Sequence, residues 1–283
     1  MNKTVWIVGS ATFDTIRMNA KEMIKPGGVV TYAGMTFKKE GIHPTIITNI
    51  AREDTKLLGF FENNKIPVLV GVTKKTTRFI NVTDGDSRRQ EVSAIAQAVS
   101  LPAAKDGIGN TNHIHLGPLF PDDIDFNGLD EFLKDATLVS LDVQGYLRKI
   151  INKKVFALVS PKLPDILMKT NSIKADINEM KLLCDSLQLT AEEILHRFAI
   201  DEILVTMGEQ GGYILSGSGR KLSYPAHPVK TGTDTTGAGD IFYAIYLSRH
   251  HHYQKDRYEA LQIAAEYTAL YLEEGIVPEL NGD

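Results

Sequence analysis

The sequence predicts an α/β protein, a doubly wound and mostly parallel sheet with a small projecting β unit, in one domain over residues 1–283. Three observations carry that prediction. Short apolar runs at residues 5–9, 45–50 and 202–206 alternate with segments of helical period, as parallel strands buried on both faces do. Residues 68–97 break that rhythm with a β-rich, hairpin-like pattern. Near the end, Thr-Asp-Thr-Thr-Gly-Ala-Gly-Asp at 233–240 opens directly onto the apolar run 241–247, a buried helix with a glycine-rich start.

In chain order, residues 5–9 form a strand ending in glycine, and Asp14 follows where ligands gather in open α/β sheets, at a strand's carboxyl end. On residue type alone, Asp14 is better read as a turn or cap. Gly27 and Gly28 make a turn into a helix over 32–40. Residues 45–50 are the second strand, and 54–64 a helix with Leu57, Leu58 and Phe61 on one face. Residues 68–70, 77–82 and 88–95 are strand-like, with Asp84-Gly85 as the hairpin turn.

Strand and helix then alternate again. Residues 112–116 are a strand, 128–135 a helix and 137–143 a strand. His113 and His115 face the same way, and with no third ligand evident nearby, packing is preferred to a metal site. Residues 142–148, including Gln144 and Arg148, close a strand with polar groups, equally readable as a plain strand-to-helix turn. Residues 172–178 lead into an apolar helix through Asp176-x-x-Glu179, a capping-box pattern that Thr190-x-x-Glu193 repeats. Strand 202–206 ends in a turn with Gly208, Gly211 and Gly212; 212–215 and 221–224 pair as an antiparallel edge; 258–273 is the last helix.

Small residues opening a helix leave several N–H groups unpaired at the positive end of the helix dipole, which binds anions and phosphate above all. Gly237 and Gly239 let a ligand approach the backbone. A carboxylate beside a bound anion needs a reason, and the simplest for Asp240 is to take a proton from an attacking hydroxyl. Walker A and the dinucleotide G-x-G-x-x-G are both missing from the sequence, which leaves a P-loop enzyme or a Rossmann dehydrogenase poorly supported.

Composition sets the remaining bounds. A net charge of −4 gives no basic footprint for nucleic acid or an anionic membrane. The one cysteine, Cys184, forms no internal disulfide and fits a reducing, cytoplasmic setting. No signal peptide or spanning segment is expected. His250, His251 and His252 read as a solvated helix end rather than a metal site.

Asp-Thr-Thr-Gly-Ala-Gly-Asp before an apolar helix resembles the signature of ribokinase-like (PfkB-type) carbohydrate kinases, and the glycine segment at 26–34 resembles the family's N-terminal signature. Tyr32 stands where that family usually has asparagine. The resemblance implies ATP-dependent transfer of the γ-phosphate to a hydroxyl of a small polyol, a sugar or a cyclitol such as myo-inositol. A nucleoside kinase of the same fold is the alternative, and a catalytically silent ligand-binding member a further one. It implies Asp240 as the catalytic base and Gly237, Ala238 and Gly239 as the anion hole. Asp14, Gly27, Gly28, Gln144 and Arg148 would bind the acceptor. Thr206, Gly208, Gly211 and Asp234 would bind ATP, with the last helix walling the adenine. Glu179 would organise Mg²⁺, although Asp176 replaces the usual asparagine of Asn-x-x-Glu. The β unit becomes a substrate lid, with strands within 15–32 and 68–97, and small because 12 residues separate Asp14 from Gly27. A monovalent cation and a homodimer formed through the lid are left open.

Overall fold

In the computed structural model, residues 3–18, 21–84, 87–101 and 111–280 are described. Nine strands form one sheet in the order β15 (Lys221–Tyr224), β14 (Gly212–Ser216), β13 (Glu202–Thr206), β12 (Ser172–Asp176), β9 (Leu138–Asp142), β8 (His113–Leu116), β1 (Thr4–Val8), β4 (His43–Asn49), β5 (Val68–Gly71). From β13 to β5 every pairing is parallel, and β14 and β15 close one edge antiparallel.

Side chains of a strand alternate between faces, so a central strand must be apolar on both. β1 shows the consequence. Val5 and Ile7 pack in a core with α1 (Val29–Lys39), α2 (Thr55–Asn63), α7 (Ala238–Leu247) and α8 (Arg257–Glu274). Trp6 and Val8 face a second core with α3 (Leu129–Leu133), α4 (Leu163–Leu167), α5 (Ile177–Leu187) and α6 (Ala191–Arg197). Trp6 stacks on Phe132 with ring centroids 5.6 Å apart. Each such fully buried side chain stabilises the fold by roughly 1.5–3 kcal/mol.

A second sheet of six strands runs β10 (Arg148–Ile151), β11 (Lys154–Ala157), β7 (Ser87–Ala94), β6 (Thr77–Asp84), β2 (Thr12–Met18), β3 (Lys21–Gly27). It is larger than the sequence suggests, because the hairpin of β10 and β11 extends it past β7. β5 lies elsewhere: it pairs parallel with β4 at the edge of the large sheet. The alternation that marks β6 and β7 does not continue back through β5, whose neighbours are set by the long-range pairing. β6 and β7 pair antiparallel down to Asp84 and Ser87, and the turn residue Gly85 lies outside the described residues.

Candidate active site

The carboxyl ends of β9, β12 and β13 and the start of α7 converge on one cavity of about 550 Å³ under the second sheet. Asp14, Gly28, Gln144, Arg148, Lys174, Asp176 and Gly237 to Asp240 line it, with Tyr32 of α1 and, from the second sheet, Phe79, Asn81 and Gln90. Asp14 is buried and accepts a 2.6 Å hydrogen bond from the Thr12 hydroxyl. Gly27 lies against it so closely that a Cβ there would overlap the carboxyl group. Arg148 donates to the Gln90 carboxamide oxygen across 3.4 Å, and the Gln90 amide donates to Asn81 Oδ1 at 2.9 Å. Asn81 Nδ2 is buried and has no hydrogen-bond partner among the described residues.

At the cavity floor Lys174 and Asp142, directly opposite in the parallel register of β12 and β9, form a buried 2.8 Å ion pair. The same ammonium is 4.0 Å from Asp240 Oδ1. Burial pushes the Asp240 carboxyl up to about 8; Lys174 pulls the other way, and the adjacent Asp142 pushes it up again. Burial also disfavours the Asp142 anion, but Lys174 outweighs it and holds Asp142 below the ordinary range. Burial alone would lower Lys174, yet Asp142 and Asp240 hold it above its usual value. The proton shared by this cluster therefore sits on Asp240 while Asp142 and Lys174 stay charged, the partition expected of two close carboxylates.

Glycine is required where α7 begins. Gly237 has φ 81°, and a Cβ would run into the Tyr32 ring, so Tyr32 supports the loop from below. The Ala238 N–H donates to the Thr235 carbonyl at 3.1 Å, which takes it out of the expected anion hole. The N–H groups of Gly237, Gly239 and Asp240 make no backbone hydrogen bond among the described residues.

Asp234 is also placed differently from expectation. It caps Thr236 N–H at 3.0 Å and pairs with Lys25 of β3 at 2.9 Å, tying the second sheet to the loop, and lines neither cavity. Glu179 completes a capping box: its Oε2 accepts from Asp176 N–H at 2.8 Å, while Asp176 Oδ1 accepts from the N–H groups of Asn178 and Glu179. Asp176, not Glu179, lines the cavity. Thr206, Gly208 and Gly211 line an adjoining cavity of about 280 Å³, walled by Phe242 of α7 and by Ala265, Ala269 and Leu272 of α8. The two cavities share Thr206, Gly208, Thr235, Ala238 and Gly239.

A sequence profile of the pfkB family of carbohydrate kinases matches residues 62–275. The chain belongs to this family. It is similar to the cytidine kinase of Thermococcus kodakarensis, 24% identical over an alignment of 266 residues that covers 86% of each chain. Its fold is similar to that of a pyrophosphate-dependent kinase in the ribokinase family complexed with a pyrophosphate analog and myo-inositol. That likeness has 20% identity, covers 95% of this chain and 94% of the other, and has a TM-score of 0.80. It is similar as well to the nucleoside kinase of Methanocaldococcus jannaschii, at 19% identity over 98% and 95% of the two chains with a TM-score of 0.74. The pfkB kinase is thus a ribokinase-like α/β fold with a large, mostly parallel sheet and a smaller second sheet, and a phosphotransferase by family.

Two residues of the pfkB kinase's site escape a reading of the sequence, Lys174 as a site residue and Asp142 as its partner. The available signal is a lysine in the middle of an otherwise buried strand, since a buried cation demands a nearby anion. No helix among the described residues is long and apolar enough to cross a membrane.

Proposed function

We propose that the protein transfers the γ-phosphate of ATP to a hydroxyl of a small polyol, a sugar or a cyclitol such as myo-inositol. One observation carries the reading: Asp14 and Asp240 open into the same cavity, which the donor groups of Asn81, Arg148 and Lys174 also line. The buried Asn81 Nδ2 lacks a partner among the described residues, a state that costs about 1–3 kcal/mol and that a substrate hydroxyl would relieve. Arg148 and Gln144 add further hydrogen-bonding groups around the ring. The neighbouring cavity, apolar on the α7 and α8 side, suits an adenine.

In this mechanism Asp14 holds the acceptor and Asp240 takes the proton from its attacking hydroxyl. The new oxygen–phosphorus bond forms as the bond from the γ-phosphorus to the bridging oxygen breaks, and ADP leaves. An ordinary aspartate, with a pKa near ~4, is a weak base. Burial brings Asp240 close to the range in which general-base catalysis works best. Lys174 and the N–H groups of Gly237, Gly239 and Asp240 balance charge on the transferring group, which is where most of the rate in phosphoryl transfer arises. Asp142 keeps Lys174 charged and in place.

Mg²⁺ fits the donor set. Asp176 lines the cavity, and Glu179 keeps one oxygen outside its cap, two hard ligands of the kind that hold this ion through waters beside phosphate. When bound, it would neutralise charge on the donor phosphates.

A nucleoside acceptor is the second reading, favoured by the similarity to a cytidine kinase. A screen of sugars, cyclitols and nucleosides with ATP or pyrophosphate as donor tests both. The first reading expects ATP consumption that depends on a sugar or cyclitol. Turnover with nucleosides alone would replace it by the second, and turnover with pyrophosphate alone would remove the ATP assignment.

A further inference from the structure

At the amino-terminal ends of β12 and β13, the opposite end of α7 from Asp240, the helix continues into a π-helical turn over Ser248–His252. Such turns recur at functional sites. Here the turn makes no solvated helix end. It lays His250 and His251 edge to face, with ring centroids 4.7 Å apart, against the wholly buried Glu202 that begins β13. One ligand atom from each of Glu202, His250 and His251 lies within 4.8 Å of the other two.

The hydrogen bonds around the three side chains are arranged as an outer shell. His250 Nδ1 is 2.8 Å from the Lys255 carbonyl, which can only accept, so Nδ1 carries the proton and Nε2 the lone pair. A metal-binding histidine is characteristically oriented this way, by a carbonyl on its other nitrogen. Among the described residues nothing hydrogen-bonds to His250 Nε2. Glu202 Oε1 faces His251 Nε2 at 2.8 Å and Ser172 Oγ at 2.9 Å. Glu202 Oε2 is held by the Tyr246 hydroxyl at 2.7 Å and Arg257 Nε at 3.2 Å, which fixes the carboxylate with Oε1 toward the histidines.

We propose that Glu202 Oε1, His250 and His251 form a binding site for a zinc-class divalent cation, completed by solvent and separate from the catalytic cavity. Zinc bonds of about 2.0–2.1 Å put neighbouring ligands roughly 3.3 Å apart in a tetrahedron. His251 Nε2, whose proton now points at Oε1, would pass that proton to Nδ1 and retreat about half an ångström to become a ligand. Both rings are partly exposed, which gives the ion a way in. Imidazole nitrogen favours zinc over Mg²⁺, so the Mg²⁺ of the kinase cleft does not compete for the site. Arg257 lowers the net charge that the site offers but meets only the oxygen turned away from the ion.

The test titrates the metal-stripped full chain with Zn²⁺ by calorimetry and, separately, by thermal melting. His250→Ala, His251→Ala and Asp240→Asn are run in parallel, and Mg²⁺ is the control ion. The expectation is one zinc per chain, raising the melting temperature. Each histidine variant should lower the affinity at least roughly tenfold, the least that losing a ligand should cost when outer-shell losses alone reach 10–100-fold. Asp240→Asn should bind as the wild type does, and Mg²⁺ should leave the site empty. His250 makes no hydrogen bond to Glu202, so His250→Ala reads the site without disturbing the buried carboxylate. No zinc binding by the wild type overturns the proposal. So does unchanged affinity in both histidine variants, or binding lost only in Asp240→Asn, which would place the ion in the kinase cleft.

Discussion

Lys174 and Asp142 are register partners on adjacent parallel strands, joined by a 2.8 Å ion pair with almost no solvent access to either side chain. A buried pair of this kind is weak evidence of stability, because the desolvation of both charges offsets their attraction. Its place explains it better. The pair leaves the ammonium 4.0 Å from Asp240, where the proposed phosphoryl transfer would gather negative charge.

That separation of roles is measurable. Lys174→Met strands the Asp142 carboxylate and should destabilise the fold by about 3–5 kcal/mol. Adding Asp142→Asn removes the stranded charge and should restore most of the stability. The double variant should nonetheless remain slow, because the cation facing the phosphoryl group is still missing. Recovery of kcat together with the melting temperature would make Lys174 purely structural.

Asp14 makes a claim on the acceptor alone. Charge-assisted hydrogen bonds contribute about 1.5–3 kcal/mol each, so Asp14→Ala should raise the acceptor KM at least roughly tenfold. ATP affinity should hold, since Asp14 does not line the cavity walled by α8. A fall in ATP affinity with an unchanged acceptor KM would reverse the two sites.

The start of α7 and the Lys174–Asp142 pair mark what the sequence makes legible and what it does not. The start of α7 can be read from eight consecutive residues because helix termini, glycines and a first-turn carboxylate act locally. Strand order and the six-stranded second sheet depend on pairings between distant segments. Lys174 meets Asp142 across 32 positions of sequence, and no local period announces that register. The β10–β11 hairpin falls short of detection for a similar reason, since each strand has only four residues. Glu179 is ambiguous for the opposite reason: its capping box and its proposed Mg²⁺ role predict the same pattern, and the structure shows the box formed.

Gly237 tests the support beneath the loop. Its φ of 81° is costly for alanine, and the Tyr32 ring blocks a methyl group as well. Left-handed backbone costs an L-residue about 1–2 kcal/mol, so Gly237→Ala should lose at least that much stability. The shifted N–H groups should also weaken donor binding and kcat together. Tyr32→Phe keeps the ring and should leave both nearly unchanged. A Gly237→Ala variant with wild-type donor affinity would show that the loop's N–H groups do not hold the phosphate.

Glu179→Gln keeps the carbonyl oxygen that can still accept from Asp176 N–H, so the cap of α5 should survive. The Mg²⁺ concentration for half-maximal activity should rise severalfold, read from activity titrations at fixed ATP. An unchanged titration would leave Glu179 with its capping role only.

Asp240 yields the sharpest expectation, because its protonation sets rate and stability in opposite directions. The base works ionised, and burial has pushed its pKa up to about 8, so kcat/KM should climb with pH and level off above that value. The unfolded chain's aspartate titrates near ~4. Between these two values the folded protein binds a proton that the unfolded chain has released, and stability therefore falls as pH rises through this window. Above the folded value the loss is complete and constant. Asp240→Asn removes the titration. Its melting temperature should gain on the wild type as pH rises across the window, while kcat drops at least about 10²-fold, the lower end for losing a general base. ATP affinity should hold or improve, since a negative charge beside bound phosphate is gone. Melting curves and kcat on one preparation across pH check all three expectations. A folded Asp240→Asn variant that keeps most of its kcat would end the catalytic assignment, and a melting difference independent of pH would show that Asp240 is ionised in the folded protein throughout.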